Sequence, residues 1–233
     1  MRTLIKNATY RTRNLLGSHM VLFRALSMSP KFSTRLTTEE TDLVIEGFPR
    51  SANSFMLRAF ALLNPAARVA HHVHVPMQII KAVELDIPAI LLIRDPLNAL
   101  SSLLIVDRRL SLPLAIRSYI NFYERVHTAL GHVVIAPFDR VIDAPHCIIQ
   151  AVNDKFGTGF HARPLTDDDI ATIFGRLRNI HQRAAQPENL IAIPDRKKEH
   201  LKAELNDLIL NCREYPAAVA IFQEIIARSS PAH

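Results

Sequence analysis

Only two cysteines, Cys147 and Cys212, occur in the 233 residues. One pair supplies neither a disulfide framework nor a zinc knuckle, which fits a reducing compartment. No uninterrupted apolar run approaches the roughly 18 residues that cross a bilayer. The longest strongly apolar stretch, Ile87 to Ile93, ends at Arg94. A soluble or at most peripheral protein is therefore expected, with the cytoplasm as its compartment. Internal repeats and low-complexity tracts are also missing. Acidic residues are absent from Met1 to Thr38, a stretch that holds seven basic ones. The remaining 195 residues carry 21 basic against 22 acidic side chains, so the body is close to neutral. A nucleic-acid binder would be expected to carry its excess charge on a folded face, and here the basicity belongs to an arm.

What is present, 48% apolar and 21% charged residues, suffices for one full-sized core and excludes wholesale disorder. The expected organisation is a basic helical extension over residues 1–38 and a single domain over residues 39–233. In the arm, Leu15, His19, Leu22, Phe23 and Leu26 fall near one helical face, with Arg13 and Arg24 elsewhere. Three uses stay open: a helix packed on the domain, a peripheral anchor on anionic lipid, and an Arg-rich, acid-poor transit segment.

After Thr41, short aliphatic runs alternate with helical periods, the signature of a layered α/β domain built on a mostly parallel central sheet. Strands are expected at Leu43–Glu46, Arg68–His71, Ala89–Ile93 and Val133–Ala136. Helices are expected at Ser54–Leu63, Met77–Leu85, Leu97–Val106 and Leu112–Leu130. From Asp143 onward, extra C-terminal helices are broken at Gly157–Pro164 and Pro187–Pro194. In such a sheet the turn from the first strand into the first helix is the usual anion cradle. Here it reads Gly47-Phe48-Pro49-Arg50-Ser51-Ala52-Asn53-Ser54-Phe55. Backbone N–H groups from Arg50 to Phe55, two serine hydroxyls, a helix N-terminus and one fixed cation suit phosphate or sulfate. An ordinary helix cap at Asn53 or Ser54 is the plainer reading. The loop lacks the lysine of GxxxxGK, so it is not a Walker A loop, and Leu91-Leu92-Ile93-Arg94-Asp95 carries little weight as a Walker B strand without it.

The loop resembles the phosphosulfate-binding loop of sulfotransferases that use 3′-phosphoadenosine 5′-phosphosulfate (PAPS). That pattern is Pro-Lys-Ser-Gly-Thr-Thr-Trp, often Pro-Arg-Ser-Gly. Pro49, Arg50, Ser51, Asn53, Ser54 and Phe55 occupy its places, and Ala52 stands where glycine is usual, a replacement expected to need a negative φ. Two further segments agree in order. Arg94-Asp95-Pro96-Leu97-Asn98 with Ser102, eight residues after Arg94, is similar to the family's 3′-phosphate site, with Asn98 replacing Asp. His72-Val73-His74-Val75-Pro76 resembles its Lys-x-His-Leu-Pro segment, with His74 in the place of the catalytic histidine. Ala136-Pro137-Phe138-Asp139-Arg140 is similar to a third strand end, and Arg196 with Lys197 has two readings, the closing 3′-phosphate segment or a solvated charge run.

The resemblance implies a P-loop-like α/β fold and transfer of the sulfuryl group from PAPS to a hydroxyl or amine, leaving adenosine 3′,5′-bisphosphate. It implies His74 as general base and Arg50 as electrostatic catalyst. Ser51, Ala52, Asn53, Ser54 and Phe55 would hold the 5′ end, and Arg94, Ser102, Arg196 and Lys197 the 3′-phosphate. No metal is called for, and His71 and His72 are read as satisfied or surface histidines. An ATP-dependent phosphotransferase and a non-catalytic nucleotide-binding protein are the rival expectations. The acceptor is read as a small molecule or carbohydrate, not nucleic acid.

Overall fold

In the computed structural model, residues 35–183 and 196–229 are described, with side chains described outside 180–200. The arm up to residue 34 and the expected break at Pro187–Pro194 lie outside the described residues. Four strands, β1 (Leu43–Gly47), β2 (Val69–His71), β3 (Ala89–Ile93) and β4 (Val134–Pro137), form one parallel sheet in the order β2-β1-β3-β4. Every residue of β1 and β3 is buried, the near-continuous apolar run that a sheet covered on both faces requires. Glu46 is the exception in chemistry and not in burial, with none of its surface exposed.

Helices α1 (Asn53–Leu63), α2 (Pro76–Glu84), α3 (Pro96–Val106) and α4 (Leu112–Val126) follow in chain order. After them come α5 (Phe138–Asp143), α6 (Pro145–Phe156), α7 (Asp167–Arg183), α8 (Arg196–Leu210) and α9 (Tyr215–Ala227). Because side chains alternate across a strand, β1 and β3 feed two cores. Val44, Leu91 and Ile93 pack with Ile79 of α2, Leu100 of α3, Tyr119 of α4, Ile209 of α8 and Ile221 of α9. Leu43, Ile45, Ile90 and Leu92 face Phe60 of α1, Val141 of α5, Ile149 of α6 and Ile173 of α7. The result is the expected three-layer α/β arrangement with extra C-terminal helices.

Boundaries shift for identifiable reasons. Pro76 and Pro96 open their helices one residue before the expected starts, since proline at the first helical position forfeits no hydrogen bond. The stretch expected as one helix to Leu130 is α-helical to Val126 and then tightens into a 3-10 turn, His127–His132. Ala129 and Leu130 remain buried there, so the apolar pattern continues although the winding changes.

This topology makes the site. From β1 the chain goes outward to β2 and then returns to β3 on the other side of β1, so the loops after β1 and β3 diverge and leave a crevice at their carboxyl ends. Gly47 lets the two strands stay close to the end: a Cβ there would sit 2.4 Å from Leu92 O.

Candidate active site

The loop leaving β1 is anchored from below. Phe48, 1% exposed, packs edge-on against Tyr119 at 5.0 Å, and Asn53 Nδ2 and Ser51 N both donate to Phe48 O, at 3.1 and 3.3 Å. Ser51 is fully buried. Tyr123 approaches it but donates its hydroxyl to Leu92 O at 2.9 Å, so Ser51 Oγ lacks a well-aligned hydrogen-bond partner. Phe55 is core as well, its ring 5.9 Å from that of Phe174. The Ser51 and Phe55 side chains are both buried. Helix α1 begins with no side-chain cap and no acid in its first turn, so its partial positive charge is not offset locally.

One expectation about this loop is corrected. Ala52 adopts φ 65° and ψ 20°, left-handed where a negative φ was expected, and Arg50 also has a positive φ of 73°. The loop keeps the curvature that glycine serves at this place in the resembling motif and carries the strain of a Cβ instead. Ala52→Gly is expected to stabilise the protein by about 1 kcal/mol, because left-handed backbone costs a non-glycine residue roughly that much. A thermal melt checks it: an increase of about 2–4 °C is expected, and a decrease would show that the Cβ contributes packing that outweighs the strain.

The two arginines and the serine predicted from separate motifs meet. Arg50 Nε donates to Ser102 Oγ at 2.9 Å, and Arg94 Nη1 donates to Arg50 O at 3.1 Å. The Tyr119 hydroxyl donates to Arg94 O at 2.8 Å, fixing the end of β3, and the Arg94 guanidinium lies 3.8 Å over the Phe138 ring. Burial lowers the pKa of both guanidiniums from the usual arginine range, and Arg50 adds to the effect on Arg94. Asp95 is occupied as the cap of α3, accepting from Asn98 N and Nδ2 at 2.9 Å each.

Asn98 Oδ1 in turn accepts from Lys202 Nζ at 2.8 Å. Lys202, on α8, was not foreseen, because nothing in the local sequence ties it to a motif 104 positions away. Arg196 and Lys197 open α8, and their side chains lie outside the described residues.

The histidine segment is organised by Glu46. Its Oε2 accepts from Val73 N at 2.9 Å and His74 N at 3.0 Å, and its Oε1 accepts from Gly47 N at 3.0 Å and lies 3.3 Å from His74 Nδ1. These charge-assisted bonds hold His72 and His74 at φ 58° and 56°, a conformation costing about 1–3 kcal/mol per residue. His74 Nδ1 also stands 3.0 Å from Gly47 O. A carbonyl only accepts, so Nδ1 carries a hydrogen, and in the neutral ring it is Nε2 that has the lone pair. The His74 side chain is 18% exposed and borders a shallow recess with Phe48, Pro49, Pro76, Ser118, Asn121 and Phe122.

His72 bridges this segment to the loop, its Nε2 2.8 Å from Ser54 Oγ and its Nδ1 2.9 Å from His71 Nδ1. Burial keeps both neighbours neutral: His71 is pushed down to about 4, and His72 lies well below the usual histidine range. The reading of His71 and His72 as satisfied histidines thus agrees with the geometry. Among the described residues no group of three His, Cys, Asp or Glu side chains is arranged to hold a metal ion. Nor is any helix among them long and apolar enough to cross a membrane.

No protein-family model matches the chain, and no curated protein matches it. Among solved structures, the chain is similar to mouse sulfotransferase SULT7A1 complexed with PAP, at 10% sequence identity and a TM-score of 0.44. That alignment covers 87% of this chain and 95% of the mouse chain.

Proposed function

We propose that this protein transfers the sulfuryl group of PAPS to a hydroxyl or amine of an acceptor. The observation that carries the proposal is the meeting of Arg50, Arg94 and Ser102 beside the open start of α1, at the crevice where the strand order reverses. These residues come from two sequence motifs 44 positions apart, and their contacts are direct.

The residues fit a doubly phosphorylated nucleotide. Two half-buried guanidiniums lie close enough for Arg50 to depress the pKa of Arg94, an arrangement that an anion between them would relieve. The same region supplies an uncapped helix N-terminus and the Ser102 hydroxyl, donors suited to phosphate oxygens. Bound PAPS supplies the sulfuryl group, and adenosine 3′,5′-bisphosphate is left.

The chain's own contribution is orientation, charge and one proton transfer. Arg94 and Ser102 grip the 3′-phosphate, and the first-turn N–H groups of α1 with Ser54 orient the 5′ end. Arg50 remains protonated at any working pH, so it stabilises negative charge at the 5′ end and donates no proton. His74 Nε2 takes the proton from the acceptor as its oxygen or nitrogen attacks sulfur. Glu46 and Gly47 O keep Nδ1 protonated so that Nε2 stays available.

Calorimetric titration of the full chain with adenosine 3′,5′-bisphosphate, with AMP and with magnesium-ATP tests the reading. The bisphosphate is expected to bind at least about tenfold more tightly than either rival, a preference of about 1.4 kcal/mol. Arg94→Ala is expected to erase most of its advantage over AMP. Equal binding of all three nucleotides, or preference for magnesium-ATP, would overturn the proposal in favour of phosphoryl transfer or simple nucleotide binding.

A further inference from the structure

Beyond the proposed cofactor crevice, the β2 side of His74 gathers arginines that no carboxylate among the described residues answers. On α1, Ser54 and Arg58 share the face left open to solvent, being four residues apart. Arg58 Nε is nevertheless buried and has no hydrogen-bond partner. Helix α7 lies alongside: the Phe55–Phe174 contact and Leu177, packed into the same core, bring Arg176 next to Arg58. From the other direction, Leu36 is buried with Val73 and Val75, which sets Arg35 beside the His71–His74 segment. Electrostatic coupling follows that placement, with Arg176 depressing Arg58, and Arg35 and Arg58 both depressing His71.

None of these three guanidiniums pairs with a carboxylate among the described residues. Other arginines of this domain do: Arg68 with Glu40, Arg163 with Asp169, and Arg228 with Glu224. Since the body of the chain has nearly equal numbers of acids and bases, the imbalance here is local. Glu46 is the carboxylate coupled to His71, and its oxygens are already committed to Gly47 N, Val73 N, His74 N and His74 Nδ1.

A buried, unpartnered guanidinium nitrogen carries a desolvation cost that a bound oxyanion would repay, and the planar fork of arginine matches carboxylate, sulfate and phosphate alike. We propose that Arg58, with Arg35 and Arg176, forms a subsite for an anionic group carried by the acceptor, placed so that a hydroxyl on the same molecule reaches His74. This rests on the sulfuryl-transfer reading and adds the acceptor's class: a molecule that already bears a carboxylate, sulfate or phosphate. The subsite is distinct from the cofactor's arginines, which lie toward β3 and Ser102, whereas this group lies toward β2 and α7.

The test uses the full chain saturated with adenosine 3′,5′-bisphosphate, so that the cofactor crevice is filled. Inorganic sulfate, at ionic strength held constant with chloride, and methyl β-glucuronide against methyl β-glucoside are then titrated by calorimetry or NMR. Sulfate and the glucuronide are expected to bind and the glucoside not, with affinity falling about tenfold in Arg58→Gln and in Arg35→Gln. Binding of the bisphosphate should stay unchanged in both variants, which also shows that they are folded. Absence of sulfate and glucuronide binding, or binding indifferent to both substitutions, overturns the proposal. Sulfate binding that gives way as the bisphosphate is added also overturns it, by assigning the arginines to the cofactor. Sulfate binding alone, without the glucuronide, would leave a site for a free anion and not for an acceptor. A chain that ignores the bisphosphate yet binds sulfate through Arg58 would fail the sulfuryl-transfer reading while retaining the anion subsite.

Discussion

His74→Ala is expected to lower kcat on the order of 10²- to 10⁴-fold while leaving affinity for adenosine 3′,5′-bisphosphate within about twofold. The two quantities separate because the geometry separates them. The proposed nucleotide contacts are Arg50, Arg94, Ser102 and the start of α1, and none of these takes a hydrogen bond from His74. The His74 ring is held instead from β1, through Gly47 O and Glu46, and Nε2 is the nitrogen that the proposal assigns to the acceptor. Removing the ring should therefore remove the proposed proton acceptor and leave the proposed cofactor contacts in place. Single-turnover assays at saturating PAPS measure the first quantity and calorimetry the second. Equal loss of both would mean that His74 supports the loop, and retention of full turnover would move the base elsewhere.

What could be read in advance was whatever the chemistry writes locally. Apolar runs ended by Gly47 and Arg94 give β1 and β3, the proline at 96 opens α3, and a fixed spacing puts Arg94 and Ser102 on one strand end and one helix. What stayed illegible depends on long-range packing. Glu46 lies among apolar neighbours in a strand, and only the return of the chain after β2 brings Val73 N and His74 onto its carboxylate. Lys202 reaches Asn98, and Arg176 approaches Arg58, from C-terminal helices whose docking no motif announces. The left-handed backbone at Ala52 is not legible because an alanine argues for ordinary backbone, whereas the anchoring of Phe48 and Asn53 on either side closes the loop too tightly for it.

Substituting Glu46 by Gln is the sharper probe, because it changes one atom of a fully buried group. Both carboxylate oxygens accept from N–H groups, so an amide placed either way must turn its NH₂ toward at least one donor that has lost its acceptor. If the carbonyl keeps Val73 N and His74 N, the amide nitrogen faces Gly47 N and His74 Nδ1. Gly47 O still accepts from Nδ1–H, but the amide nitrogen now competes as a donor to Nδ1 and shifts the ring toward the tautomer with its hydrogen on Nε2, which cannot take a proton from the acceptor. The expected outcome is a stability loss of about 1–3 kcal/mol from the unsatisfied buried donor, and a fall in kcat on the order of 10²-fold. The nucleotide affinity should hold, since Glu46 touches no residue of the arginine pair. Long-range ¹⁵N–¹H NMR of the histidine ring reads the tautomer directly: Nδ1–H in the native protein and a mixed or Nε2–H form in the variant. A variant that melts lower but keeps the Nδ1–H form and full kcat would confine Glu46 to holding the backbone. A loss of kcat together with the tautomer change would make it the residue that keeps His74 basic at the right nitrogen.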